Sequence, residues 1–192
     1  MADFKGQGAA VAELTRGAMG GTVDFRVALQ QRMDLIHPSR EDMAGILKDH
    51  PVVLSPGILD LIDALHARGT HVFLVSGGFR QMIEPVAEAC GIPHHRIFAN
   101  NIIFDDNGGY AGFDTNEPTS ADGGKPKVIQ MLKDVHGYET VVMIGDGATD
   151  MQAKPPADAF IGYGGTSVRE NVKAGADLFI TSFAELVGAL VK

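Results

Sequence analysis

The chain has 192 residues, 45% hydrophobic and 21% charged, without tryptophan, which is enough for one domain with an ordinary core and a small cap. A formal charge of −8 and an isoelectric point near 5.2 argue against nucleic acid or an anionic membrane surface as the main partner. The lone cysteine, Cys90, excludes an internal disulfide. No apolar run approaches the ~20 residues of a membrane span, and the start lacks the basic and apolar regions of a secretion signal, so the cytoplasm is the expected compartment.

The first fifty residues read as helices only. A short helix is expected from Val11 to the glycines at 20 and 21. A second carries Phe25, Leu29, Met33 and Ile36 at helical spacing, and a third opens with a capping box from Ser39 to Asp42. Pro51 then marks a break in composition. This divides the chain into a partial helical cap, 1–51, and an α/β body, 52–192.

From Pro56 the pattern alternates. A helix stopped by Gly69 precedes the short strand His71–Ser76; the next helix runs to Gly91, with Pro85 bending it or delaying its start. Arg96–Phe104 reads as a strand that enters a hairpin through Asp105-Asp106-Asn107-Gly108-Gly109 to Tyr110–Phe113. A helix with Pro126 in its first turn follows. Strands at Thr140–Gly145, Asp158–Gly164 and Asp177–Thr181 then alternate with helical segments to the end. Short continuous apolar strands separated by helices predict an α/β fold, a doubly wound parallel sheet covered on both faces. In such sheets ligands bind beyond the carboxyl ends of the strands.

Three junctions carry the chemistry. After Ser76 come Gly77 and Gly78, whose freed N–H groups suit an anion; a Ser-capped strand-to-helix turn reads the same way. Lys125 lies just before a helix, at the positive end of its dipole, where a bound phosphate would reverse its unfavourable charge; a solvated surface lysine is the alternative. Pro126 stands where a nucleotide P-loop needs Ser or Thr. Asp146 ends a buried strand and Asp150 follows roughly one helical turn later. Two acids among glycines suit a hard divalent cation such as Mg²⁺, or a helix cap; the sixth position of Gly-x-Gly-x-x-Gly is Asp150, against a dinucleotide. Together, two anion loops, a cation and a metal ligand describe phosphoryl chemistry.

Ser76-Gly77-Gly78-Phe79-Arg80, Gly123-Gly124-Lys125 and Gly145–Asp150 resemble the later motifs of the haloacid dehalogenase superfamily. With Leu14–Gly21 and Gly109–Asp114, they resemble its phosphoserine phosphatase family from about residue 12 onward. The resemblance implies Mg²⁺-dependent hydrolysis of O-phosphoserine in serine biosynthesis, on a Rossmann-like core with a helical cap, through a phospho-aspartyl intermediate. It implies Asp146 as Mg²⁺ ligand with Asp150 supporting it. Ser76, Gly77 and Gly78 would hold the phosphoryl group, and Lys125 would neutralise it. Thr149 and Arg169 would steady the substrate region. Met19, Gly20 and Arg32 would come from the cap, with Arg32 on the serine carboxylate or, equally, on a polar helix face. A homodimer is compatible with it.

The superfamily's first motif, Asp-x-Asp-x-Thr, supplies the nucleophile, and no Asp-x-Asp occurs in this chain. That motif belongs to a strand lying between those at Phe73–Ser76 and Val141–Ile144. The expectation is therefore a shortened form, inactive and poorly stable. The alternatives are a non-catalytic phosphate- or phosphoserine-binding protein and a phosphatase of the same superfamily for another small phosphomonoester.

Overall fold

The computed structural model describes residues 5–9, 11, 13 and 24–190. Of the helix read at 11–21, only residues 11 and 13 are described, both helical. The elements in order are α1 (Phe25–Ile36), α2 (Arg40–Asp49), α3 (Ile58–Ala67), β1 (Leu74–Phe79), α4 (Arg80–Ala89), β2 (Ile97–Asn100), β3 (Ile102–Phe104) and β4 (Tyr110–Phe113). They continue with α5 (Gly124–Asp134), β5 (Val142–Gly145), α6 (Ala148–Met151), β6 (Ala159–Tyr163), α7 (Glu170–Gly175), β7 (Leu178–Ile180) and α8 (Ala184–Leu190).

Local chemistry sets the helix ends. Asp24 accepts from the N–H groups of Arg26 and Val27 to start α1, whose Ala28, Leu29, Met33 and Ile36 turn inward. The capping box at Ser39 and Asp42 forms as expected. Lys5 reaches the Asp42 carboxylate at 2.7 Å, and with the Ser39 amide it holds that carboxyl below its usual range. Pro85 sits inside α4 and does not delay its start, which falls at Arg80.

The hairpin forms where read, with Ile102 opposite Phe113, and the strand leading into it breaks at Asn101 into β2 and β3. It packs with the first helices: Leu29 and Met33 of α1, Met43 and Ile46 of α2, and Ile102 and Phe113 form one buried cluster. The Arg40 N–H donates to Gly108 O at 2.8 Å, tying α2 to the hairpin turn.

The parallel strands form two ladders, β1–β2 and β5–β6–β7. Both pack on one core, in which Val128, Leu132, Met143 and Phe160 are buried beside Phe73, Val75 and Phe98. β1 and β5 are the strands between which the sequence reading expects another, and among the described residues no ladder joins them. β1 also begins and ends later than read. Pairing starts at Leu74 against Ile97, slips between Val75 and Phe79, and resumes at Phe79, so Ser76 lies within the strand. The glycines allow this bulge. A second cluster, Leu61, Ile180, Phe183 and Leu186, closes α3 against β7 and α8.

Candidate active site

The ladder β5–β6 stays in register up to Gly145 opposite Gly162, and Asp146 is the next residue. The chain then turns tightly into α6. Asp150, 6% exposed, accepts from the Gly147 N–H at 3.0 Å. Its other oxygen takes the ammonium of Lys125. Gly145 allows this closure, because a Cβ there would run into the Asp150 carboxylate. Both Asp150 oxygens are thus engaged, one by a backbone amide and one by a lysine, whereas Asp146 has its carboxylate 43% exposed and meets Arg169 Nη2 at 3.2 Å. Around Gly147 the groups converge: Asp150 Oδ2, Arg169 Nη1 and Thr149 Oγ1 all lie within 3.9 Å of where a Cβ would stand.

Lys125 is the second residue of α5 and not, as read, just ahead of the helix. The helix begins close under the preceding loop. A Cβ on Gly124 would stand 2.5 Å from Pro118 O and 2.7 Å from Thr119 Cα, so only glycine allows this approach. Gly123, at φ +66, makes the turn into it. The opposite wall is the bulge of β1. The Asn100 amide donates to Gly77 O at 2.8 Å, and buried Thr119 donates to Asn100 Oδ1 at 3.0 Å, which fixes the bulge against the Lys125 loop. Ser76 Oγ accepts from the Gly78 N–H at 3.0 Å, so that amide, expected to face an anion, is turned onto its own loop.

Between these walls lies a cleft of about 110 Å³, lined by Gly77, Gly123, Gly124, Lys125 and Thr149 among others. Gly77, Lys125 and Thr149 are therefore brought together, and Asp150, Asp146 and Arg169 adjoin them. Ser76 and Gly78 pair with each other beside Gly77. Arg32 does not line the cleft. It donates to Ala28 O at 3.0 Å, stands 6.0 Å over the Phe25 ring, and burial lowers its pKa. Met19 and Gly20 lie outside the described residues.

Sequence reasoning missed Phe25, Asp122 and Gln152, which also line the cleft. Phe25 reads as one more apolar residue at helical spacing. Its ring lies 3.3 Å from where a Gly77 Cβ would be. Among the described residues no cluster of three or more His, Cys, Asp or Glu could by itself hold a metal.

The haloacid dehalogenase-like hydrolase family matches residues 9–153. Phosphoserine phosphatase of Bos taurus is 53% identical over 190 residues, 99% of this chain and 84% of that protein. Among solved structures, a phosphoserine phosphohydrolase-like protein from Francisella tularensis superposes with a TM-score of 0.77 at 27% identity, covering 94% of this chain and 84% of that one. A phosphoserine phosphatase solved as a phospho-aspartyl intermediate analogue gives 0.78 at 25% identity, covering 98% and 88%. The chain belongs to the haloacid dehalogenase-like hydrolases and, within them, to the phosphoserine phosphatase family.

Proposed function

We propose that these residues bind the phosphate of O-phosphoserine and Mg²⁺ for hydrolysis to serine and phosphate, a biosynthetic step that yields the free amino acid. One observation carries the reading: the Gly77 bulge, Lys125 and Thr149 line a single cleft at the end of the strands. A dianion entering it meets the Lys125 ammonium and the Thr149 hydroxyl, both donors, near the positive end of α5. Asp150 keeps Lys125 aimed into the cleft and balances its charge until phosphate arrives.

The donor chemistry fits Mg²⁺. That ion takes one or two carboxylates and leaves its other positions to water and phosphate, and Asp146 is the half-exposed carboxylate that follows β5 and meets Arg169. Asp146 would hold it, and Asp150, with both oxygens engaged, would support it through the shared turn. When bound, the ion supplies neutralising charge for the phosphoryl oxygens. Arg169, 52% exposed on its side chain, is free to leave Asp146 for the substrate. Arg32, stacked near Phe25, is assigned to the serine carboxylate. We place the reaction in the cytoplasm, in keeping with a lone buried cysteine, Cys90.

Hydrolysis through a phospho-aspartyl intermediate needs a carboxylate nucleophile, and the 192 residues hold no Asp-x-Asp pair. These residues supply binding and charge neutralisation, so the chain by itself is expected to bind phosphoserine without turning it over. Loss of a nucleophile that works within a catalytic unit costs on the order of 10⁶-fold. Calorimetry with phosphoserine, with and without Mg²⁺, tests the binding; no heat in either condition overturns the reading. Phosphate release at the rate of the curated relatives would overturn the expectation of binding without turnover.

A further inference from the structure

The first turn of α1 is held from the opposite wall. Asp24 caps the N–H groups of Arg26 and Val27, but the N–H of Phe25 donates across the cleft mouth to Asp122 Oδ2 at 3.1 Å. Beside it, Arg26 Nη2 donates to Thr115 O and to Ser120 Oγ, each at 3.2 Å, and Ser120 is fully buried. Arg26 Nε is buried without a partner, so the guanidinium is held there at a cost. Asp122 is followed directly by Gly123, Gly124 and Lys125, and Lys127 Nζ donates to its carbonyl at 3.2 Å.

We infer that Asp122 and Arg26 are positioning residues that latch α1 onto the loop bearing Lys125 and so hold the Phe25 ring over Gly77. This rests on the proposed function, because the latch matters to catalysis only if the cleft takes a phosphate ester. Inorganic phosphate needs the Gly77 and Lys125 walls alone. An ester such as phosphoserine carries a further group that must fit beneath Phe25. Breaking the latch separates the two ligands: it frees the α1 end and leaves the phosphate walls in place.

The test is Asp122→Ala, with Arg26→Met as the second variant and Asp122→Asn, which keeps a side-chain acceptor, as the rescue. Hydrogen exchange is read at the amides of 25–29. In Asp122→Ala these amides should exchange about tenfold faster, those of α5 should be unchanged, and Asp122→Asn should return most of the protection. Exchange at wild-type rates in Asp122→Ala overturns the latch, and this readout needs no ligand. Calorimetry with inorganic phosphate and phosphoserine is the second readout. Asp122→Ala and Arg26→Met should weaken phosphoserine five- to tenfold while phosphate stays within twofold. Equal weakening of both ligands would make Asp122 a prop of the Lys125 loop and overturn the inference. Absence of phosphoserine binding in the unaltered chain sinks the proposed function instead, and the exchange result still decides the latch.

Discussion

β5, β6 and β7 pair in unbroken register, with Val142 to Gly145 opposite Ala159 to Gly162 and Ile161 to Tyr163 opposite Leu178 to Ile180. β1 meets β2 only at Leu74, Val75 and Phe79. Burial sets β1 apart from the other parallel strands: no residue of β1 is fully buried, whereas its partner β2 buries Ile97, Ala99 and Asn100 and β6 buries Phe160 at 0% exposure. The two ladders do different work at the same cleft. The regular one ends in side-chain chemistry: a rigid strand delivers Asp146, and a glycine turn closes Asp150 onto Lys125. The irregular one brings backbone to the cleft: Gly77 lines it, its carbonyl accepts from the Asn100 side chain, and the Gly78 N–H is spent on Ser76 Oγ and not on a ladder bond.

The largest effect that would break this comparison is in the core. Phe160→Ala should cost about 3–5 kcal/mol in chemical denaturation, against about 1 kcal/mol for Val75→Ala in half-buried β1. Equal losses would mean that the two ladders carry stability alike.

A smaller effect sharpens the difference at the cleft. Asp150→Asn leaves the Lys125 ammonium without its anion, and the two side chains are only 8% and 16% exposed. The expected loss is roughly 2–4 kcal/mol, somewhat under the ~3–5 kcal/mol for breaking a fully buried pair, because both side chains keep some exposure. Inorganic phosphate should then raise the melting temperature of the variant more than that of the parent chain, because the freed lysine takes the anion. A phosphate shift smaller than the parent's would show that Asp150 shapes the site and does not compete for it.

The smallest effect concerns acid. The Asp158 carboxylate is lowered by Lys133 and by the Val141 N–H, and the Asp177 carboxylate by Lys154 and by the Phe160 N–H. Both groups anchor the regular ladder at the starts of its strands, with the two amide contacts each 2.7 Å long. Folded values below the unfolded ones contribute stability that is complete above the ordinary aspartate range. That stability is lost as pH falls below about 4 and through the folded values. Asp158→Asn and Asp177→Asn should each flatten the fall in stability between neutral and acid pH, read by chemical denaturation at both; a fall as steep as the parent's would show that these anchors carry none of it.

Residues that act on near neighbours were legible in the sequence. The Ser39 to Asp42 capping box, the turn after Phe104 and the parallel-strand alternation depend on spacings of a few residues; the box and the turn formed where they were read, and the alternation formed with β1 displaced toward Phe79. The site was legible as chemistry but not as pairing. Lys125 and Asp150 were each marked for phosphoryl transfer, yet their ion pair spans 25 positions, and nothing local announces it. Phe25 and Asp122 escaped for a related reason: one looks like core and the other like a solvated acid until α1 is laid across the loop 97 positions away. The extent of β1 also escaped, because a bulge through Ser76-Gly77-Gly78 lets pairing resume at Phe79 where glycines ordinarily read as a stop.

The contact between α3 and α8 reaches further than packing. Leu61 of one meets Leu186 of the other through Phe183 and Ile180, and Arg68 donates to Leu190 O at 3.0 Å across 122 positions. During synthesis, α3 leaves the ribosome long before its partner exists. The wall between them can close only once residues near 190 have emerged. Because closing so long a loop is entropically slow, the final collapse of this body should wait until residues 180–190 are free to pack, and a nascent chain stalled before them would present Leu61 to chaperones.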